Sequence, residues 1–132
     1  MAFRPYSTED GRVPAWEYYP ATGLTPKVGM ALNLTGGKLV AATGTGKPQF
    51  VCMAERAAAQ TAEQLIPVIA AADDIIWEVE TSATLALGAA CSIGTDSLTV
   101  VTGSGAGKVV AAPENGLCRV RFGAEPAATP SN

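Results

Sequence analysis

Histidine is absent from the chain. That removes the commonest general base, the commonest metal ligand and every Ser-His or Cys-His pairing. Carboxylates and thiols are what remain for acid–base or metal chemistry. Asp73-Asp74 and Glu78/Glu80 are the carboxylate candidates for holding a cation. Neither lies in the patterned acidic loop of a calcium site. The first reads as a turn, and the second, spaced i and i+2, as the wet side of a strand. Cys52, Cys91 and Cys118 form no C-x-x-C pair. Each reads as a small buried hydrophobe in a strand.

Two segments end in the Gly-Lys of a phosphate loop: Gly44-Thr45-Gly46-Lys47 and Gly103-Ser104-Gly105-Ala106-Gly107-Lys108. That loop needs a further Gly five residues before the Gly-Lys pair and Ser or Thr after it. Ala41 and Thr102 hold the upstream positions, and Pro48 and Val109 the downstream ones. No helix follows to aim a dipole at phosphate, so both segments read as β-turns. Without histidine, a nucleophile motif or a phosphate loop, the sequence predicts a protein that is not an enzyme and carries no cofactor or metal.

Recognition is left to aromatic residues. Phe3, Tyr6, Trp16, Tyr18 and Tyr19 all fall within residues 1–27, with four of the nine prolines, Pro5, Pro14, Pro20 and Pro26. Proline at this spacing blocks a helix or a central strand and biases the preceding residue to extended conformation. The segment is read as an extended arm. Solvated tails are poor in aromatics, so such an arm must pack. It lies on its own domain, along a neighbouring subunit, or on both.

The elements that would position these residues follow from Val28. Residues 28–34 alternate, with Met30, Leu32 and Leu34 on one face, and Thr35-Gly36-Gly37 is a hairpin signal. Further strands are expected at 38–43, 49–55, 64–70 and 75–81, the last with Ile75, Trp77 and Val79 facing in. Asn115-Gly116, the preferred pair for a type I′ turn, joins strands at 108–114 and 117–122. Pro113 puts the first of these at an edge or a bulge. Residues 28–47 echo residues 87–106: Gly29 falls on Gly88, Ala31 on Ala90, Leu39 on Leu98 and Thr43-Gly44 on Thr102-Gly103. The echo suggests one hairpin unit used twice, as related halves of a barrel or sandwich. The fold class expected is all-β: a small barrel or sandwich of short antiparallel strands (28–123), with an N-terminal arm (1–27) and a flexible tail (124–132).

With 132 residues the chain fits one domain. Charged residues are sparse at 16%, and the net charge is −3. The nine Lys and Arg are scattered, which disfavours nucleic acid as a partner. No window is long and apolar enough to span a membrane, and the first residues lack the apolar stretch of a signal peptide. The chain is expected to stay in the cytoplasm of the cell that makes it.

The order of these features resembles the small capsid decoration, or head-stabilising, proteins of tailed bacteriophages and prophages. Phe3-Arg4-Pro5-Tyr6 begins the arm and Trp16-Glu17-Tyr18-Tyr19-Pro20 ends its aromatic part. Val28-Gly29-Met30-Ala31-Leu32 then opens a Gly-rich β domain, which Cys118-Arg119-Val120-Arg121-Phe122 closes. The resemblance rests on layout across most of the chain. It implies a virion location on the outside of the shell, a trimer, and the major capsid protein as partner. It also implies that the arm docks on the capsid, with Phe3, Tyr6, Trp16, Tyr18 and Tyr19 as anchors. Another virion part, such as a head fibre or tail component, and a small ligand- or peptide-binding barrel are the alternatives.

Overall fold

Period-two alternation drives this chain into strands, and every regular element among the described residues is one. The computed structural model describes residues 3–8, 15–44, 46–72, 75–103 and 105–122. Asp73, Asp74 and the tail 124–132 lie outside the described residues. The strands are β1 (Arg4–Thr8), β2 (Trp16–Pro20), β3 (Ala31–Thr35), β4 (Lys38–Ala41), β5 (Phe50–Cys52), β6 (Leu65–Ala70), β7 (Ile75–Glu80), β8 (Ala90–Ile93), β9 (Val100–Thr102), β10 (Gly107–Glu114) and β11 (Leu117–Phe122). They form a six-stranded sheet, β1-β7-β11-β10-β8-β9, and a five-stranded sheet, β2-β6-β5-β3-β4. All ladders within the sheets are antiparallel. The architecture is a sandwich, and neither sheet closes into a barrel.

The segment expected as an arm supplies an edge strand to each sheet. β1 pairs with β7 and β2 with β6. A boundary at residue 27 therefore does not separate two structural units. The prolines permit this because each avoids a needed donor. Pro5 lies on an edge strand and Pro20 is the last residue of another. Pro67 instead ends a neighbour's pairing. Its carbonyl accepts the Met53 N–H at 2.9 Å, but it has no N–H to return, and β5 stops at Cys52. Pro113 sits at a register shift in the β10–β11 ladder, the bulge its presence predicts.

The two sheets repeat one design. Without β1, the strands in chain order occupy the same places in each: β2 to β6 as 2-6-5-3-4, and β7 to β11 as 7-11-10-8-9. The registers match as well. Leu32 pairs with Phe50 as Cys91 does with Gly107, and Cys52 pairs with Val68 as Val109 does with Val120. Each unit opens with the same turn. Met30 N–H bonds to Lys27 O at 3.1 Å and Ala89 N–H to Ala86 O at 3.0 Å. Gly29 and Gly88 take φ of 83° and 86°, the left-handed position of a type II turn. The gapless echo slips after these strands. Leu34 pairs with Leu39, whereas Ile93 pairs with Val100, so Leu39 corresponds to Val100 and not to Leu98. The first hairpin turns through Gly36-Gly37, and the second runs a longer loop from Gly94 to Thr99.

That loop ties the sheets together. Ser97, buried and held at φ 62°, accepts the Ala31 N–H at 2.8 Å and donates its hydroxyl to Ala42 O at 2.7 Å. Gly44 and Ile93 exchange both backbone bonds nearby. Ser97→Ala would leave the Ala42 carbonyl without this donor in a buried site, a loss of about 1–3 kcal/mol. A urea unfolding series would register it as a lower midpoint with an unchanged slope.

Two cores result. The larger lies between the sheets and holds Trp77, Val79, Val109, Cys118, Val120 and Phe122 with Ala31, Val51 and Ile69 of the facing sheet. The second lies on the other side of the five-stranded sheet, with Leu32, Leu39, Phe50, Cys52, Ile66 and Val68. That sheet curls, bringing Cα atoms of its edge strands β2 and β4 within 8 Å of each other. The six-stranded sheet curls likewise, with Glu80 bridging to Thr99.

Candidate partner-binding surface

The five aromatics of the N-terminal segment go to four different places. Phe3 is 1% exposed and stacks on Phe122 with ring centroids 5.1 Å apart. It is a core residue, which corrects its assignment as a partner anchor. The backbone explains the placement: Phe3 N–H donates to Gly29 O at 3.0 Å, which holds the start of β1 against the β2–β3 turn. Tyr19 points into the second core beside Phe50, ring centroids 5.1 Å apart, with its hydroxyl donated to Glu17. That bond, with desolvation and the carboxylate's charge, raises the Tyr19 pKa. Tyr6 is exposed at a bulge in β1, with the Arg119 guanidinium 3.7 Å from its ring centroid.

Trp16 and Tyr18 remain, 51% and 57% exposed. Two residues apart on a strand, they share a face. The ladder sets Trp16 opposite Ile69, Tyr18 opposite Pro67 and Pro20 opposite Leu65. Ile69 is buried between the sheets, while Leu65 is 54% exposed. An uncharged strip therefore runs from the inter-sheet core out to the surface of the five-stranded sheet. Leu65 and Pro67 are the members that sequence reasoning missed. The signal for them was the second register of 65–70, where Leu65, Pro67 and Ile69 alternate with Ile66, Val68 and Ala70.

The repeat supplies an internal comparison. The positions equivalent to the Tyr18–Pro67 pair are Glu78 and Arg119, and those equivalent to Pro20–Leu65 are Glu80 and Leu117. On the six-stranded sheet this face is ionic. Arg4 Nε donates to Glu78 Oε1 at 3.0 Å, and Arg119 Nε lies 3.7 Å from the other carboxylate oxygen. Glu78 was expected on an open, wet face; here it is half-buried between two arginines. The same fold thus presents two equivalent faces: one carries Glu78, Glu80 and Arg119, the other Tyr18, Pro20 and Pro67, and a leucine is common to both.

The remaining candidates behave as follows. Gly107 and Lys108 lie inside β10, paired with β8 and β11, which leaves no loop there to cradle an anion. Among the described residues no three His, Cys, Asp or Glu side chains converge. A cleft of about 310 Å³ at the end of β7 is lined by Glu80, Ser82, Thr99, Val101 and Asn115 among others. It lies outside both cores and mixes hydroxyl, amide and carboxylate groups.

The three cysteines are free and buried, in β5, β8 and β11. Burial pushes the Cys118 thiol up to about 11 from 9.0. Burial also raises Cys52, partly offset by the bond its sulfur accepts from the Ala54 N–H. The native state thus holds the Cys118 proton more tightly than the unfolded chain does. Its contribution to stability is full below pH 9.0 and is lost as pH rises through about 11. Thermal midpoints should decline across that window, and Cys118→Ala should flatten the decline.

No family model matches the chain, and no curated protein matches it either.

Proposed function

We propose that this chain is a non-catalytic structural protein of a phage virion. It binds the outer surface of the capsid, as a trimer, and stabilises the shell by clamping neighbouring major capsid subunits. The observation that carries the docking part of this reading is the strip of Trp16, Tyr18, Leu65 and Pro67. Trp16, Tyr18 and Leu65 are exposed on the sheet beside the half-buried Pro67, and the equivalent face of the same fold is ionic. Rigid aromatics with uncharged neighbours are the composition of binding hot spots. The capsid as partner is supported by the layout of the sequence.

The test is co-sedimentation with assembled particles from the source. Deleting the N-terminal segment would remove two strands and Phe3, so lost binding would report unfolding. Trp16→Ala and Tyr18→Ala alter exposed side chains instead. Each should weaken particle binding by about 30-fold, the weight of a ~2 kcal/mol hot spot, with little change in Tm. Wild-type protein that stays in the supernatant would sink the capsid reading. Variants that pellet as well as wild type would remove the strip from it.

A further inference from the structure

The strip has a neighbour that the repeat makes conspicuous. In the six-stranded sheet the outer edge of β7 is taken by β1, antiparallel, along residues 75–78. β2 holds the equivalent place in the five-stranded sheet, and among the described residues no strand pairs with its outer edge. Elsewhere the two sheets behave alike: Glu80 bridges to Thr99 in one, and β2 comes within 8 Å of β4 in the other. Residues 15–18 are the counterpart of the stretch that β1 covers, and among the described residues no strand pairs with their outer edge.

We infer that the outer edge of β2 is a strand-acceptor site, which takes an extended segment of a partner protein antiparallel to β2, with apolar side chains on the strip side.

The chemistry of that segment follows from the strand already seated on the equivalent edge. β1 lays Arg4 on Glu78 and Tyr6 under Arg119, so its outward residues match an ionic face. At the β2 edge the same positions are Tyr18 and Pro67, which offer no charge to an arginine. An occupant matched to this edge has an apolar residue where β1 has Arg4, and an apolar or aromatic one where β1 has Tyr6. Backbone bonds along the edge would supply affinity and the side chains on the strip would supply selectivity. A second copy's β1 is the wrong occupant, since it would give up its Glu78 partner for an uncharged one.

This inference rests on reading the strip as a docking surface, and its test needs no particle. The probes are two synthetic peptides spanning residues 2–8, capped at both ends, one native and one carrying Arg4→Leu. The chain has two tryptophans, and Trp77 is fully buried, so a change in emission on binding at this edge reports Trp16. The Leu peptide should shift the emission of the full chain to the blue, with saturation. In the variant Tyr18→Glu, which installs the residue found at the equivalent position of β7, the ratio of Leu-peptide to native-peptide affinity should fall by about tenfold or more. An unshifted emission with both peptides at millimolar concentration would overturn the proposal, as would a ratio indifferent to Tyr18→Glu. An already blue Trp16 emission that turns red on removal of residues 123–132 would place this chain's own tail on the edge and overturn the assignment to a partner. Particle binding that persists while both peptides fail would leave the docking surface standing without the strand.

Discussion

Phe3→Ala is expected to cost about 3–5 kcal/mol, the range for removing a buried phenylalanine from a core. The ring is 1% exposed and packs on Phe122, which in turn packs on Trp77 with centroids 6.0 Å apart. Phe3 precedes β1, and β1 itself has little inside. Arg4, Pro5, Tyr6 and Ser7 are all exposed, and surface ion pairs such as Arg4–Glu78 contribute ~1 kcal/mol or less. Loss of the ring should therefore release β1 from β7 as well as open a cavity. Urea denaturation measures the first quantity. Limited proteolysis with chymotrypsin measures the second, through cleavage after the exposed Tyr6. A variant with wild-type stability and an uncut N-terminus would show that Phe3 does not anchor the strand.

Gly107→Val should be nearly as damaging, at about 3 kcal/mol, the upper part of the overpacking range. Gly107 pairs with Phe122 on one side and Cys91 on the other. A Cβ there would lie 2.6 Å from the Arg121 carbonyl oxygen and 3.4 Å from Phe122 Cα. Both are backbone atoms of a paired strand, so neither can swing aside. Gly37→Ala tests a different mechanism: its Cβ meets nothing within 4 Å, and the cost is the φ of 81° alone. That cost should be about 1 kcal/mol, within the range for a non-glycine residue in the left-handed region. Thermal midpoints of the two variants should be well separated. Similar midpoints would mean that β10 and β11 can part at Gly107 without penalty.

Much of the second half was legible because its signals are local. Asn115 and Gly116 take φ of 56° and 78°, as a type I′ turn requires, and β7 and β11 alternate between buried and half-buried residues along their length. The first half was misread where the deciding fact is tertiary. Proline is excluded from central strands and tolerated at edges, so Pro5 and Pro20 argue for an arm only if the strand's place in the sheet is unknown. Phe3 looked like an anchor because nothing within β1 says that Phe122 waits for it on a strand near the other end of the chain. Leu65 and Pro67 were passed over because a strand with apolar residues on both faces has two readings, and only the facing layer decides which side is covered. Tyr6, Trp16 and Tyr18 are exposed as an anchor must be, but the bulge at Tyr6 and the Arg119 stacked on it set it apart on the other sheet.

The placement of β1 also sets a timetable. Arg4 and Glu78 are separated by 74 positions along the chain. Residues 4–8 leave the ribosome well before β7 and must wait for it before they can pair. By then β2 to β6 are complete, and their ladders can form in the meantime. Pairings this distant in sequence carry a large loop-closure entropy and fold slowly, on the millisecond-to-second scale. β1 is thus made before β2 to β7 and docks after them. Until it does, the outer edge of β7 is an unpaired template in the nascent protein, and a second chain nearby can compete for it.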